Sequence, residues 1–423
     1  MSQKLAGVKG MNDLLPADLE IWHHVERTAR DVLGRFSYRE VRTPILEDTA
    51  LFVRGVGEET DIVGKEMYTF EDKAGRSLSM RPEGTAPAAR AYIEHAVFNQ
   101  EPITRWCYLG QMFRYERMKT GRYRQFWQLG AEAYGAREPA QDVELMELTV
   151  RIPEALSLSG VALHLNSLGD ALCRPAYREK LVAYLKAHVD ELCEECKARI
   201  DRNPLRVLDC KNPQCQQVAR GAPVVTDSLC EPCREHFAAV QKGLQRVGVP
   251  FELDPRIVRG LDYYTRTAFE LIAESPALGT ASAVGGGGRY DTLIQSLGGP
   301  DVPAVGFAIG LDRLCLLVAE AGHTFQDSPL IFLVSADAPA ADEVMALASR
   351  LRRAGIRVET DVRGGSVKSQ LKRADKSGAR FALVLGEREL AEKAAELKPL
   401  RGGDVRKVAL DELPAVLAGL TQG

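Results

Sequence analysis

YLGQMFRYERMKTGRYRQFWQLGAEAY occupies residues 108–134. Two runs rich in aromatic and aliphatic residues flank the polar loop ERMKTGR, Glu116–Arg122, a pattern that predicts a β-hairpin with a long tip. Alternate side chains of a strand share a face. Arg114 and Glu116 are therefore expected on one face of the first strand, and Phe126, Gln128 and Glu132 on one face of the second. An arginine, an aromatic ring, an amide and a carboxylate aimed the same way suit a charged planar ligand, because stacking holds the plane and the forked guanidinium fits a phosphate. Taken singly, the same residues would be surface ion pairs worth about 0–1 kcal/mol each.

Working outward, Pro16 opens a helical pattern that runs to about Gly34. YREVRTPILED follows, and its Pro44 favours a sheet edge or a bulge over a central strand. An open edge needs covering, and a second subunit is one cover. Strand patterns recur at EMYTFED and SLSMRPEG, and a helix is expected from about Ala140 to Ala155. Strands joined by turns predict an antiparallel sheet. Residues 168–254 read instead as helices around a polar loop, before strand patterns resume with FELDPRIVRGLDYYTRTAFEL, so this block reads as an insertion. After Glu320 the polar stretch AGHTFQDSP marks a boundary, beyond which strands and helices alternate as in a small α/β domain with parallel strands and crossover helices. The expected division is 1–167 with 255–322, an insertion at 168–254, and a terminal domain at 328–423.

IVRGLDYYTRTAFEL, residues 257–271, interleaves charge with strand formers. As a strand it would place Arg259, Leu261, Tyr263 and Thr265 on one face, and Asp262, Tyr264 and Arg266 on the other. VGGGGRYDTL, residues 284–293, is neither a Walker loop nor a glycine turn opening a helix. Its consecutive glycines permit close approach of backbone to a ligand, or simply a flexible turn.

The longest apolar runs, such as LIFLV and FALVL, fall far short of a bilayer span, and the start MSQKLAGVKGMNDLLPADLE lacks the apolar core of an export signal. The expectation is a cytoplasmic protein with no membrane segment. Although the net charge is −3, Arg350–Arg380 carries ten basic residues against Glu359, Asp361 and Asp375, which would attract a polyanion locally or be a solvated helix face. In VKSQLKRADKSG, helical spacing puts Lys368, Lys372 and Lys376 on one face, with Leu371 and Ala374 turned away.

The chain resembles bacterial histidyl-tRNA synthetases, of the class II aminoacyl-tRNA synthetases, over nearly its full length. GMNDLLP, TPILEDTALFVRGVGEETDIVGKEMYTF, RPEGTA, FRYERMKTGRYRQFWQLGAE, VRGLDYYTRT, GGGGRYDTL and VGFAIGLDRL carry the likeness, in the family's order. The resemblance implies an α+β catalytic domain built on an antiparallel sheet, a helical insertion and an α/β anticodon-binding domain, in a homodimeric ligase for L-histidine, ATP and tRNA(His). Magnesium would accompany the ATP. It further implies that Arg114 and Arg259 grip the α-phosphate from two sides, that Glu116, Arg122, Phe126 and Arg313 hold ATP, and that Glu83, Thr85 and Gln128 receive the backbone end of histidine. Glu132 and Tyr264 would address the imidazole, with Tyr263 closing the pocket. Arg313, three residues after Gly310, is expected in the first turn of a helix, where free N–H groups favour anions. The alternative is a synthetase-related regulatory subunit of ATP phosphoribosyltransferase, which has no need of the ATP-gripping arginines.

Six of the nine cysteines fall between residues 193 and 233, within the insertion: Cys193, Cys196, Cys210, Cys215, Cys230 and Cys233. In a cytoplasmic chain such spacing points to metal before disulfides. Either four of them hold a structural zinc, the four being undetermined, or all are reduced, non-ligating thiols. Cys107, Cys173 and Cys315 read as packing residues.

Overall fold

The computed structural model describes residues 5–323 and 329–421, so the first four residues and the centre of AGHTFQDSP lie outside the described residues. The chain divides into two compact units, Met1–Thr324 and Phe325–Gly423. The strands of the first are β1 (Arg39–Glu40), β2 (Leu46–Asp48), β3 (Tyr68–Glu71), β4 (Ser77–Met80), β5 (Thr104–Phe113), β6 (Gln125–Tyr134), β7 (Val161–Ser167), β8 (Glu252–Leu253), β9 (Thr265–Ser275), β10 (Gly279–Arg289) and β11 (Ala304–Gly310). Eight of them make one sheet in the order β1-β5-β6-β11-β10-β9-β7-β8, and β2, β4 and β3 form a separate small sheet. Every inner pairing of the large sheet is antiparallel, as the turn-linked strand patterns predict. The two outermost pairings, β1 with β5 and β7 with β8, are parallel. Pro44 falls between β1 and β2, consistent with the lack of an N–H there.

The sheet carries helices Pro16–Arg35 and Pro139–Ala155, each opened by a proline in its first turn, where the missing N–H costs no intrahelical bond. The two helices pack on each other, and Pro139–Ala155 also packs on Glu231–Arg246, the last helix of the segment between β7 and β8. That segment is helical: Arg174–Ala187, Glu194–Arg202, Leu205–Leu208, Pro213–Arg220 and Glu231–Arg246. A largely buried ion network ties the three layers together. Arg289, at the end of β10, pairs with Asp142 of Pro139–Ala155, donates to the carbonyl of Ala136 at 2.9 Å, and lies 3.0 Å from Asp291, while His236 of Glu231–Arg246 lies 3.4 Å from Asp142.

Two strand readings are corrected by the structure. β9 begins only at Thr265, so Arg259–Tyr264 are not on a strand: the Asp262 N–H bonds the Val56 carbonyl at 3.0 Å instead of a ladder partner. β5 ends at Phe113, so Arg114 and Glu116 lie past its end, where the Tyr115 N–H turns away to the Glu66 carbonyl at 2.7 Å. The glycine run is also no turn. Gly285–Gly288 sit inside β10, between β9 and β11. A Cβ on Gly287 would meet the Gly306 carbonyl oxygen at 2.1 Å, so the strands approach too closely for any side chain there.

In the second unit β12 (Ile331–Ser335), β13 (Val358–Thr360) and β14 (Phe381–Leu385) are parallel, with helices Ala338–Arg353 and Val367–Lys376 as the crossovers. Two antiparallel strands complete the sheet, β15 (Ala394–Pro399) and β16 (Arg406–Ala409), giving the order β13-β12-β14-β15-β16. The parallel reading holds for the first three strands alone. Lys368, Lys372 and Lys376 are exposed on Val367–Lys376, while Ala374 is buried. No helix among the described residues is long and apolar enough to cross a membrane.

Candidate functional site

A polar cavity of about 300 Å³ opens over the middle of the large sheet. The β5/β6 hairpin supplies Arg114, Glu116, Arg122, Phe126 and Gln128. The loop before β9 supplies Arg259, Tyr263 and Tyr264. Glu83 and Thr85 come from the start of helix Thr85–Glu94, and Arg313 from the first turn of helix Leu311–Glu320. Each sequence-singled residue except Glu132 lines this one cavity, and Glu132 lies beneath it, hydrogen-bonded to the lining residue Thr85 at 2.7 Å. Tyr263 and Tyr264 reach the cavity together because they lie on a loop; on a strand they would have pointed apart.

Four arginines gather here with few free carboxylates to match them. Arg114 donates to the Pro82 carbonyl at 2.8 Å and lies 5.3 Å from the Phe126 ring centre. Arg259 donates to Glu270 at 2.7 Å and lies 5.3 Å from the Tyr264 ring. Burial works against its charge, but Tyr264 and Glu270 outweigh that and raise its pKa. Arg122 pairs with Glu116 at 3.1 Å. Arg313 donates to the carbonyls of Gly121, at 3.1 Å, and Ala283. Burial first, then the Arg122 guanidinium, push Arg313 down to about 10. A cation so crowded is stabilised by an incoming anion. The Nε atoms of Arg122 and Arg259, Oε1 of Gln128 and the Tyr263 hydroxyl are buried here without a protein partner. Buried polar atoms are normally satisfied, so these four mark the cavity wall as polar.

Below the arginines is a pocket of carboxyls and hydroxyls. Glu83 accepts from the Thr85 and Ala86 amides, both at 2.8 Å, and so caps helix Thr85–Glu94. Glu132 accepts from Thr85, from Tyr108 at 3.1 Å and from Tyr290. A Cβ on Gly306 would stand 1.6 Å from the Glu132 carboxylate, so only glycine fits opposite it on β11. Burial pushes Glu132 up to about 8. The folded protein therefore holds this proton where the unfolded chain has released it. Stability falls as pH rises from the ordinary carboxyl range through about 8, by at most ~1.4 kcal/mol per pH unit. Glu132→Gln is expected to remove that slope. Urea midpoints of both proteins from pH 5 to 9 check it; parallel profiles would mean that Glu132 is not the group.

Sequence reasoning missed Glu270, Tyr290 and Tyr108. Glu270 faces Gly286 across the β9/β10 register, and a Cβ on Gly286 would lie 2.5 Å from Arg259 Nη1, so a glycine opposite an acid marked the arginine's berth. Tyr290 follows the glycine run directly, and its ring lies 5.4 Å from that of Tyr263.

A family described as histidyl-tRNA synthetase matches residues 10–314, and one described as anticodon binding domain matches 330–420. Among relatives, a histidine–tRNA ligase of Anaeromyxobacter sp. (strain K) is 53% identical, covering 98% of this chain and all of its own. One of Geobacter metallireducens is 47% identical over 98% of this chain and 99% of its own. The solved apo histidyl-tRNA synthetase of S. aureus is similar in structure, with a TM-score of 0.83 at 35% identity, covering 98% of this chain and all of that one.

Proposed function

The chain belongs to the histidyl-tRNA synthetase family, and from that premise we propose that the cavity activates L-histidine with ATP and that the histidyl group then passes to the 3′ end of tRNA(His). A carboxylate oxygen of histidine attacks the α-phosphorus, the bond to the β-phosphate oxygen breaks, and pyrophosphate leaves. Anion approaches anion, so positive charge must be in place beforehand. The observation that carries the reading is the convergence of Arg114 and Arg259 on one cavity. They hold the α-phosphate from two sides, and neither needs to move a partner far, since Arg114 is braced by a carbonyl and Arg259 by Glu270.

Phe126 stacks on adenine, Glu116 and Arg122 face the nucleotide, and Arg313 meets the outer phosphates at a helix start. Glu83, Thr85 and Gln128 receive the ammonium and carboxylate end of histidine. Glu132 and Tyr264 address the ring nitrogens, and Tyr263 closes the pocket. Magnesium arrives with the nucleotide's phosphates. Glu83, Glu116 and Glu270 are already engaged with backbone amides, Arg122 and Arg259, so they offer no ready cage of their own. A regulatory subunit would have no use for four arginines around one polar cavity.

We assign residues 1–167 and 255–322 to catalysis, 168–254 to a helical insertion stapled by zinc, and 328–423 to anticodon binding in a cytoplasmic homodimer. β1 leaves an open sheet edge, and Ile45, Leu46 and Phe70 are exposed on or beside the small sheet, as a subunit contact would need. Sedimentation that found only monomers at micromolar concentration would remove the dimer. The overall test is histidine-dependent exchange of pyrophosphate into ATP followed by charging of tRNA(His); exchange that requires a different amino acid would overturn the reading. Replacing Lys368, Lys372 and Lys376 by Gln is expected to raise KM for tRNA about tenfold and flatten its salt dependence, by ~0.7–0.9 in log–log slope per lost phosphate contact. Exchange without tRNA should be unchanged. An unaltered salt slope would leave the lysine face a solvated surface.

A further inference from the structure

The cysteines between β7 and β8 gather in two places. Cys193, Cys196, Cys210 and Cys215 form one group, and Cys173, Cys230 and Cys233 form another with Asp170; within each, the donor atoms lie within 4.8 Å of one another. Cys173 is thus no mere packing residue. Its sulfur lies 3.9 Å from that of Cys233 and 3.6 Å from Asp170 Oδ1, which lies 3.7 Å from the Cys230 sulfur. In the first group the sulfurs of Cys193 and Cys210 are also 3.9 Å apart. A disulfide would need ~2.05 Å, whereas tetrahedral zinc with ~2.3 Å bonds sets neighbouring sulfurs ~3.8 Å apart.

The two groups are built alike. Cys193 and Cys230 each occupy the N-cap of a helix, Glu194–Arg202 and Glu231–Arg246, and their partners Cys196 and Cys233 lie in its first turn. Helix starts favour thiolate. Backbone N–H groups also reach the sulfurs: Cys193 N–H to Cys215 at 3.2 Å, and Asp170 N–H to Cys173 at 3.2 Å. The second carboxylate oxygen of Asp170 faces Arg266 at 3.5 Å, the kind of outer contact that orients a ligand.

We infer that this segment carries two structural zinc ions, one on Cys193, Cys196, Cys210 and Cys215 and a second on Asp170, Cys173, Cys230 and Cys233, and that the second positions the histidine pocket. The inference rests on the zinc reading of the insertion given above and extends it from one ion to two. The positioning follows from what Asp170 and its neighbours hold. The Arg266 N–H bonds the Gly169 carbonyl at 2.8 Å, the Leu168 N–H bonds the Arg266 carbonyl at 2.6 Å, and Arg174 donates to the Tyr264 carbonyl. Arg266 itself has φ +51°, a conformation that needs such outside support. The second ion therefore locks the loop beneath Tyr263 and Tyr264, while the first ties together helices Glu194–Arg202, Leu205–Leu208 and Pro213–Arg220.

Metal analysis of the full chain, purified without chelators, should give two zinc per chain, and Cys210→Ser and Cys230→Ser should each give one. One zinc in the parent overturns the second site but leaves the zinc reading standing; none overturns both. X-ray absorption on the parent needs no variant: an average between three and four sulfurs per zinc with an oxygen shell supports the pair of sites, and four sulfurs alone refutes the Asp170 ligand. In pyrophosphate exchange, Cys230→Ser should raise KM for histidine about tenfold with kcat nearly kept. A KM for histidine within about twofold of the parent in a Cys230→Ser protein that has lost one zinc would refute the positioning role. Exchange activity in the parent is read separately, so failure of the ligase reading cannot be mistaken for failure of the zinc sites.

Discussion

Arg259→Ala is expected to lower histidine-dependent pyrophosphate exchange by about a thousandfold. A preorganised donor aimed at charge that develops in the transition state contributes roughly 10²–10³ in rate, and Arg259 is also a full cation held at a fixed place by Glu270. The loss should fall mainly on kcat, since the α-phosphate gains charge contact as the new bond forms. Arg259→Lys should recover little, because a point charge cannot hold two phosphate oxygens in one plane. Folding should survive: the Arg259 guanidinium is largely buried against the polar cavity and not within the apolar core, and Glu270, left without its partner, is still a quarter exposed. Exchange within tenfold of the parent in a folded Arg259→Ala protein would remove the central assignment.

Arg289→Ala is expected to behave in the opposite way, costing about 3–5 kcal/mol of stability, the usual result when one partner of a buried pair is removed and the other charge is stranded. Arg289 and Asp142 are both fully buried, and Arg289 is bound to two carboxylates and the Ala136 carbonyl. Burial alone would raise the Asp142 pKa, but His236 and Arg289 together hold it below its ordinary value. A carboxyl depressed in the folded state contributes stability above its unfolded pKa and loses it as pH falls through the folded one. The parent should therefore weaken at acid pH through this group, and the Asp142→Asn protein should lack that part of the acid sensitivity. All three tryptophans, Trp22, Trp106 and Trp127, lie in the first unit, so urea unfolding followed by their fluorescence reports the affected unit. An unchanged midpoint for Arg289→Ala would show that the network contributes nothing net.

The two variants separate what was legible in the chain from what was not. Arg259 could be singled out from its setting among strand formers, yet the strand assigned to it was wrong. Period-2 patterning does not reveal that Arg259–Tyr264 stay off the sheet, because a loop bonded to distant backbone and a half-buried strand carry similar residues. Arg114 and Glu116 were displaced for the same reason, the hairpin tip leaving the ladder at Phe113 to bond Glu66. Arg289 drew no attention, since a buried ion pair is formed by residues about 150 positions apart and neither carries a local mark. Cys173 likewise carries no local mark of its neighbour Cys233, 60 positions on in the chain.

Whereas the cavity's arginines were picked out through the family resemblance, the sequence by itself determined the hairpin, the helix beginnings at Pro16 and Gly310, the inserted helical block and the lysine face of Val367–Lys376. These are local matters of side-chain alternation, turn chemistry and charge, written within a few residues of one another. Tertiary structure alone decided which groups meet: Arg259 with Glu270 and Gly286, Glu132 with Tyr108 and Tyr290, and the insertion's cysteines in two clusters rather than one. Such meetings depend on sheet register and loop path, which are fixed by contacts between segments far apart in the chain, and no single segment encodes them.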